Sequence, residues 1–409
     1  MVEIDAYDEA LQSGQYQKPG GLLGKYDNVR RFWEDEQLGL YLRPYLEQLV
    51  ARKKVCGERL RILDLGCGSG DGFEFITGIT HSKSLISEHN SKVIEPDMLG
   101  FYQGIDINDR LLKQAQATYS KNQNMSFIHS DFNDFDMGAE EPFHLYLANY
   151  GVLSHNGDEQ TVELLGNIAE YSKDGAIIII DWLGRFSYEW QTLWTRDSEN
   201  NQWMDYAISY IYPEDETKKE ELTYFPLRIM GRSEVEQVYR RARKKSGGAI
   251  ALHKIADRSS FVGRHIDTRQ YNPHCQPLRR LVNSLFEPNV STNLDELLVN
   301  YVPKKGFAEV NDYYQRLTDW WNFLISYTRA LLEQNTPSEV PPGTPAAIRR
   351  AFSTMKKVAR TSAGTRIGNP RASLVEPQLG YCLRELEMEL QKGLGCGHGL
   401  VAIFEVVKR

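Results

Sequence analysis

Asp64, Gly66, Gly68 and Gly70 sit at the end of an apolar run made by Leu60, Ile62, Leu63 and Leu65. The run reads as a buried parallel strand that ends in a glycine-rich turn and feeds a helix. Glycine at 66, 68 and 70 lets the backbone turn tightly and approach a ligand with no Cβ in the way. A dinucleotide fingerprint needs a third glycine three residues after the second. Here that position is Asp71, and Asp64 at the strand tip would repel a pyrophosphate. A ligand carrying positive charge suits the turn better.

The pattern Asp64-x-Gly66-x-Gly68-x-Gly70 resembles the first motif of the class I S-adenosylmethionine (SAM)-dependent methyltransferases. The resemblance implies SAM as cofactor, with its methionine end over the glycines and Cys67. It also implies that Tyr26 and Arg31, ahead of the first strand, close over SAM and reach its carboxylate, which wants a cationic donor. A second strand, 101–105, ends in Asp106-Ile107-Asn108. An acid at that tip is the usual acceptor of the two ribose hydroxyls. Its interval from the glycine turn exceeds the usual spacing of about twenty residues, and a polar insertion at 78–100 accounts for the excess. After a third strand, 125–129, the resemblance places Asp131 and Phe132 against the adenine. Asn149 stands at the tip of a fourth strand, 143–148, and is expected in the cofactor site.

Methyl transfer from a sulfonium is an in-line displacement, in which a protein mainly aligns nucleophile and methyl about 3 Å apart and excludes water. A hydroxyl nucleophile gains from a general base, whereas a carboxylate or thiolate needs none. His155, just past the fourth strand, is the first candidate base. His265 is the second, with Arg264 as a substrate anchor. Asn149 is followed by Tyr150-Gly151 rather than by the Pro-Pro-aromatic sequence that grips amino groups of adenine or glutamine. Amino methylation of nucleic acid is thereby disfavoured. Aromatic residues crowd positions 182–226, where an aromatic-walled acceptor pocket is expected. The sequence therefore predicts a methyltransferase acting on a small, partly apolar molecule, at oxygen rather than nitrogen. Two other functions stay open. One is an RNA or protein methyltransferase using the basic segment around Arg349, Arg350, Lys356, Lys357 and Arg360. The other is a non-catalytic methyltransferase-like partner subunit, whose expected mark, a ruined glycine motif, is missing.

The elements that must position these residues follow from periodicity. Ala176–Ile180 is apolar on both faces and reads as a central fifth strand. Residues 249–255 form a sixth, and 399–407 alternate as a last strand. The predicted fold is α/β, a Rossmann-like doubly wound sheet of seven strands, mostly parallel with the last antiparallel, interrupted by a large helical insertion. The expected organisation is an N-terminal helical cap over 1–50, a SAM-binding core over 51–268, an inserted substrate lid over 269–395 and the last core strand in 396–409. Residues 1–20 read as polar and loose. Val310 to Leu331 make one amphipathic helix on the order of 35 Å long, too apolar to stand alone in water. It must pack on the core, on other inserted helices or on a second subunit, so a homo-oligomer is compatible. Ser233 and Glu236 read as a capping box.

Composition bounds the rest. The 409 residues are 41% apolar and 25% charged, ordinary for a globular protein, with net charge −7. An acidic chain lacks the basic face of a general nucleic-acid binder, so no nucleic-acid partner is expected. No apolar stretch is long enough for a membrane span, and no signal peptide is visible. The five cysteines are scattered without a Cys-x-x-Cys pair. Neither a metal site nor a disulfide framework is predicted, and a cytoplasmic setting is expected.

Overall fold

The structure is a computed structural model. It describes residues 2–14, 16, 22, 24–81, 92–196, 202–208, 223–264, 271–365 and 368–408. The strands are β1 (Leu60–Leu65), β2 (Leu99–Asp106), β3 (Met125–His129), β4 (Leu145–Ala148), β5 (Ile177–Gly184), β6 (Trp203–Tyr206), β7 (Phe225–Met230), β8 (Ile250–Arg258) and β9 (Gly399–Val406). Seven of them form the main sheet in the order β3-β2-β1-β4-β5-β9-β8. Only β9 runs antiparallel within it, paired with β5 on one side and β8 on the other. The predicted doubly wound architecture is therefore present. The other two strands form a hairpin, in which β7 runs parallel to the end of β5 at Leu183–Gly184 and β6 pairs antiparallel with β7. The sequence reading took these as part of an aromatic stretch rather than as strands.

The helices are α1 (Val2–Gln12), α2 (Asp35–Cys56), α3 (Asp71–Gly78), α4 (Asp109–Thr118), α5 (Asp158–Tyr171), α6 (Arg232–Lys245), α7 (Arg279–Ser284), α8 (Ala308–Leu332), α9 (Ala346–Ala363) and α10 (Glu376–Leu390). The side-chain alternation of β5 shows why helices must cover both faces of the sheet. Ile178 and Ile180 pack with Val162, Leu165 and Ile168 of α5 and Val235 and Val238 of α6. Ile177 and Ile179 pack on the opposite face with Leu38, Leu42, Leu46 and Leu49 of α2. No described helix is long and apolar enough to cross a membrane.

The inserted helices bury their own apolar faces. Tyr314, Leu317, Trp321 and Leu324 of α8, Phe352 and Met355 of α9, and Leu379, Leu383 and Leu386 of α10 share one core with Trp33 and Trp190. Two local expectations change. Residues 2–12 form a helix rather than a loose start, because Ala6 and Ala10 are buried in that same core and tertiary packing rescues a helix too short to hold alone. The capping partner of α6 is Glu234, not Glu236, since the helix starts at Arg232 and Glu234 Oε2 accepts from Gly231 N at 2.7 Å.

Candidate functional site

A cavity of about 300 Å³ opens at the carboxyl ends of the parallel strands, where an open α/β sheet binds its ligands. Its first half is built by β1 and β2. The turn after β1 carries Gly66, Cys67 and Gly68 on the cavity wall. Gly68 has φ +53°, and a Cβ placed on it would meet only Leu111 Cδ1 at 3.9 Å, so the space over it is cavity. Gly70 does not line the cavity; it caps α3 beneath the turn. Asp106 lines the cavity and accepts from Gly68 N at 2.7 Å and Asn108 N at 2.8 Å. The acid thus ties the ends of β1 and β2 together. Asp64 is buried on the same wall and accepts a short hydrogen bond from the Tyr102 hydroxyl.

The electrostatics of this half favour a cation. Burial pushes the Asp64 carboxyl up to about 7, the Tyr102 hydroxyl opposes this, and the charges of Asp71 and Asp106 add to it. Burial also raises Asp106, against the two backbone N–H groups it accepts from. A positive ligand would let both acids ionise without mutual repulsion. Ile107, Asp131 and Phe132 continue the wall, with Asp131 at the exposed rim and Phe132 buried. Asn149 is buried on the wall, and its Oδ1 and Nδ2 have no hydrogen-bond partner among the described residues. A buried amide left in that state calls for a polar ligand. The acids, the open space over Gly68 and the orphaned amide fit a nucleoside that carries an ammonium or sulfonium group.

The second half lies toward β5, β7 and β8. Leu183, Ile208 and Leu227 supply an apolar wall, and Tyr206 adds an aromatic one. Arg30, Arg258 and Arg264 also line it, all buried. Arg258 Nη2 reaches Asp181 Oδ2 at 2.5 Å, and Arg264 Nη2 reaches Glu34 Oε2 at 3.1 Å. Burial alone would raise the Glu34 carboxyl, but Arg264, Arg279, Arg258 and Arg30 hold it well below the usual carboxylate range. Arg279, at the start of α7, bonds Glu34 Oε1 at 2.9 Å and Asp27 Oδ2 at 2.7 Å, so the insertion braces this half from behind.

Tyr26 and Arg31, expected at the cofactor carboxylate, do not line the cavity, whereas their neighbours Lys25 and Arg30 do. Residues Arg30–Glu34 form a π-helical turn that sends Arg31 to solvent and Arg30 inward. The Arg30 guanidinium lies 3.2 Å from the Tyr150 ring centroid and 2.7 Å from Asp35 Oδ1. The Tyr26 hydroxyl is used to hold Asp71, at 2.7 Å. His155 reaches the cavity, with Nε2 3.4 Å from the Tyr7 hydroxyl and its ring stacked on Phe225 at 5.9 Å. His265 lies outside the described residues, as does the 82–91 part of the polar insertion. No described residue of 271–395 lines the cavity. From the N-terminal segment, Tyr7 of α1, Tyr16 and Lys25 line the cavity. The sequence reading also missed His398, which lines the cavity just before β9. Its signal was available, since an antiparallel strand begins at the same sheet edge where parallel strands end.

Residues 57–225 match a family model described as a methyltransferase domain. A pre-miRNA 5′-monophosphate methyltransferase of Danio rerio is 24% identical over 186 residues, which cover 42% of this chain and 71% of that protein. Among solved structures, an S-adenosylmethionine-dependent methyltransferase from Clostridium acetobutylicum aligns at 13% identity and TM-score 0.32, covering 53% of this chain and 83% of its own. The [4+2]-cyclase SpnF aligns at 13% identity and TM-score 0.34, covering 89% of this chain and 81% of its own.

Proposed function

We propose that this chain is a class I SAM-dependent methyltransferase that carries the methyl group to an oxygen of a small, partly apolar molecule. The supporting observation is the cavity itself. At about 300 Å³ it is at the small end of pockets that bind organic ligands, and the cofactor must share it. The remaining wall is made by Leu183, Ile208 and Leu227, which suit an apolar body.

Bound SAM supplies a methyl group already activated on sulfur. The chain's part is to hold, align and keep dry. In this reading Asp64 takes the ammonium end, Asp106 with Ile107 takes the ribose, and Asp131 with Phe132 takes the adenine. The backbone at Gly66, Cys67 and Gly68 lies under the methionine part, and Asn149 bonds a polar group of the cofactor. Lys25 and Arg30, rather than Tyr26 and Arg31, are the groups offered to its carboxylate. A hydroxyl acceptor needs a base, and two described imidazoles reach the cavity, His155 and His398. The 269–395 segment acts on the acceptor side by bracing Glu34 and Asp27 through Arg279 rather than by covering the cleft. The dispersed cysteines support a cytoplasmic setting.

A second reading draws on the relative named for a pre-miRNA 5′-monophosphate. Arg30, Arg258 and Arg264 on the wall suit an acceptor that inserts only a phosphate-bearing end. The two readings part in one experiment. The protein is incubated with methyl-labelled SAM and an extract of its source cells, and small molecules, RNA and protein are separated before the labelled product is identified by mass. Label in an O-methylated small molecule is the expected result. Label in the RNA fraction would replace the first reading with the second.

A further inference from the structure

His398 is fixed by its backbone at the carboxyl edge of the sheet. Its N–H donates to Ser259 O at 2.8 Å, and its carbonyl accepts from Gly184 N at 3.1 Å. The residue therefore sits between the ends of β8 and β5, one position before β9, on the cavity wall. Its Nδ1 lies 2.6 Å from Glu189 Oε2, and the two side chains are 6% and 0% exposed. Glu189 belongs to the 3₁₀ turn Tyr188–Leu193 that follows β5, and Ser187 Oγ approaches its Oε2 at 3.4 Å. The chain passes Glu189 so closely at Gly263 that a Cβ there would come within 2.1 Å of the carboxyl carbon.

This is the arrangement of an oriented base. A carboxylate that accepts the Nδ1 proton fixes the neutral imidazole in the tautomer with its lone pair on Nε2. His155 is placed differently, against the Tyr7 hydroxyl and the face of Phe225. Arg258 and Arg264 line the same cavity, engaged by Asp181 and Glu34, and Asp257 accepts from the backbone N–H of Gly397 beside His398. Glu189 is thus the carboxylate in contact with the imidazole.

We infer that His398 is the general base of the reaction, with Glu189 as its positioning residue, and that the acceptor is a hydroxyl compound. This rests on the oxygen-methylation reading above. The acceptor's hydroxyl proton passes to His398 Nε2 as its oxygen bonds the methyl carbon. The broken C–S bond leaves its electron pair on sulfur, so the positive charge of the sulfonium reappears on the imidazolium. His398 then releases the proton to solvent.

The test uses the full chain and two readouts. In the first, ¹⁵N-histidine spectra of the protein with S-adenosylhomocysteine should show His398 protonated at Nδ1, and Glu189→Gln should remove that preference. In the second, label transfer from SAM into the cell extract is timed. His398→Gln should keep its S-adenosylhomocysteine affinity yet lose at least about 100-fold in rate, the low end of what a base contributes. Glu189→Gln should lose less, because the imidazole keeps its place on the cavity wall and loses only the carboxylate that fixes its tautomer. Wild-type rate in His398→Gln overturns the assignment, and so does an Nε2-protonated imidazole or a methyl ester as product. Label in RNA that still depends on His398 supports the base while removing the small-molecule reading.

Discussion

Glu387, near the end of α10, accepts the indole N–H of Trp33 at 3.0 Å, across an interface between the inserted helices and the segment that leads into α2. The same carboxylate accepts from Gln37 Nε2 at 3.2 Å and from the backbone of Ser260 and Phe261 at 3.1 and 2.8 Å. One buried acid thus joins the insertion, the N-terminal helical segment and the stretch after β8 that delivers Arg264 to the cavity.

Removing this acid should be costly. Burial raises the Glu387 carboxyl, and its four donors offset that. Glu387→Ala would leave all four without an acceptor, which predicts a loss of at least about 3 kcal/mol. Glu387→Gln, which keeps one carbonyl oxygen, should lose less. Urea unfolding of the three proteins checks this, and an alanine variant within about 1 kcal/mol of wild type would mean that the contact is dispensable.

Asp64 gives a pH prediction. Its folded pKa, about 7, lies above the ordinary carboxylate value. The folded state therefore holds a proton that the unfolded chain releases, and this stabilisation is present at low pH and lost as pH rises from about 4 to about 7. Relative to Asp64→Asn, the ligand-free protein should become less stable across that window. Affinity for S-adenosylhomocysteine should move the other way, rising as pH climbs through about 7, because its ammonium group binds the ionised acid. Calorimetry in buffers of different ionisation enthalpy should detect proton release. Affinity flat between pH 6 and pH 8 would remove Asp64 from the site.

Much of this site is legible in the sequence, because it lies where periodicity is strong. The run into Asp64 and the acid at Asp106 lie at the ends of strands, where ligands bind in such a sheet, and the apolar Ala176–Ile180 marks the central strand beside them. Side-chain direction within the N-terminal segment is less legible. Arg30 and Arg31 are equivalent in an amphipathic pattern, and a π-helical turn decides which one points inward. The α1 helix is hidden for a related reason, since its stability comes from residues far along the chain. His398 and Glu189 are separated by 209 positions, and neither shows a local pattern that announces the pair.

Gly68 separates binding from folding. The conformation at φ +53° costs a branched residue about 1–2 kcal/mol, yet the space above Gly68 holds no protein atom closer than 3.9 Å to a new Cβ. Gly68→Val should therefore fold, with a modestly lower midpoint, and fail to bind SAM or S-adenosylhomocysteine. Unchanged affinity in the valine variant would place the cofactor elsewhere. Gly66 is a poorer probe, because a Cβ there would meet Val152 Cγ1 at 2.7 Å.

Asp106 has two duties that a nucleoside series can separate. Its oxygens already accept from Gly68 N and Asn108 N, but a carboxylate has about four lone-pair sites and can accept two ribose hydroxyls as well. Asp106→Ala should lose both the clamp on the glycine turn and the ribose contacts, which predicts at least about 1.5–3 kcal/mol of lost SAM affinity. The clamp alone would weaken all nucleosides equally. The ribose contact would not, so a 2′-deoxy analogue should bind the native protein worse than its parent and bind Asp106→Ala almost as well as its parent. Equal discrimination by both proteins would pass the role to another acid. Asp109 is the nearest in sequence, but it is the first residue of α4, which Asn108 caps, and its carboxylate is paired with Lys113, which leaves Asp106 as the acid on the cavity wall.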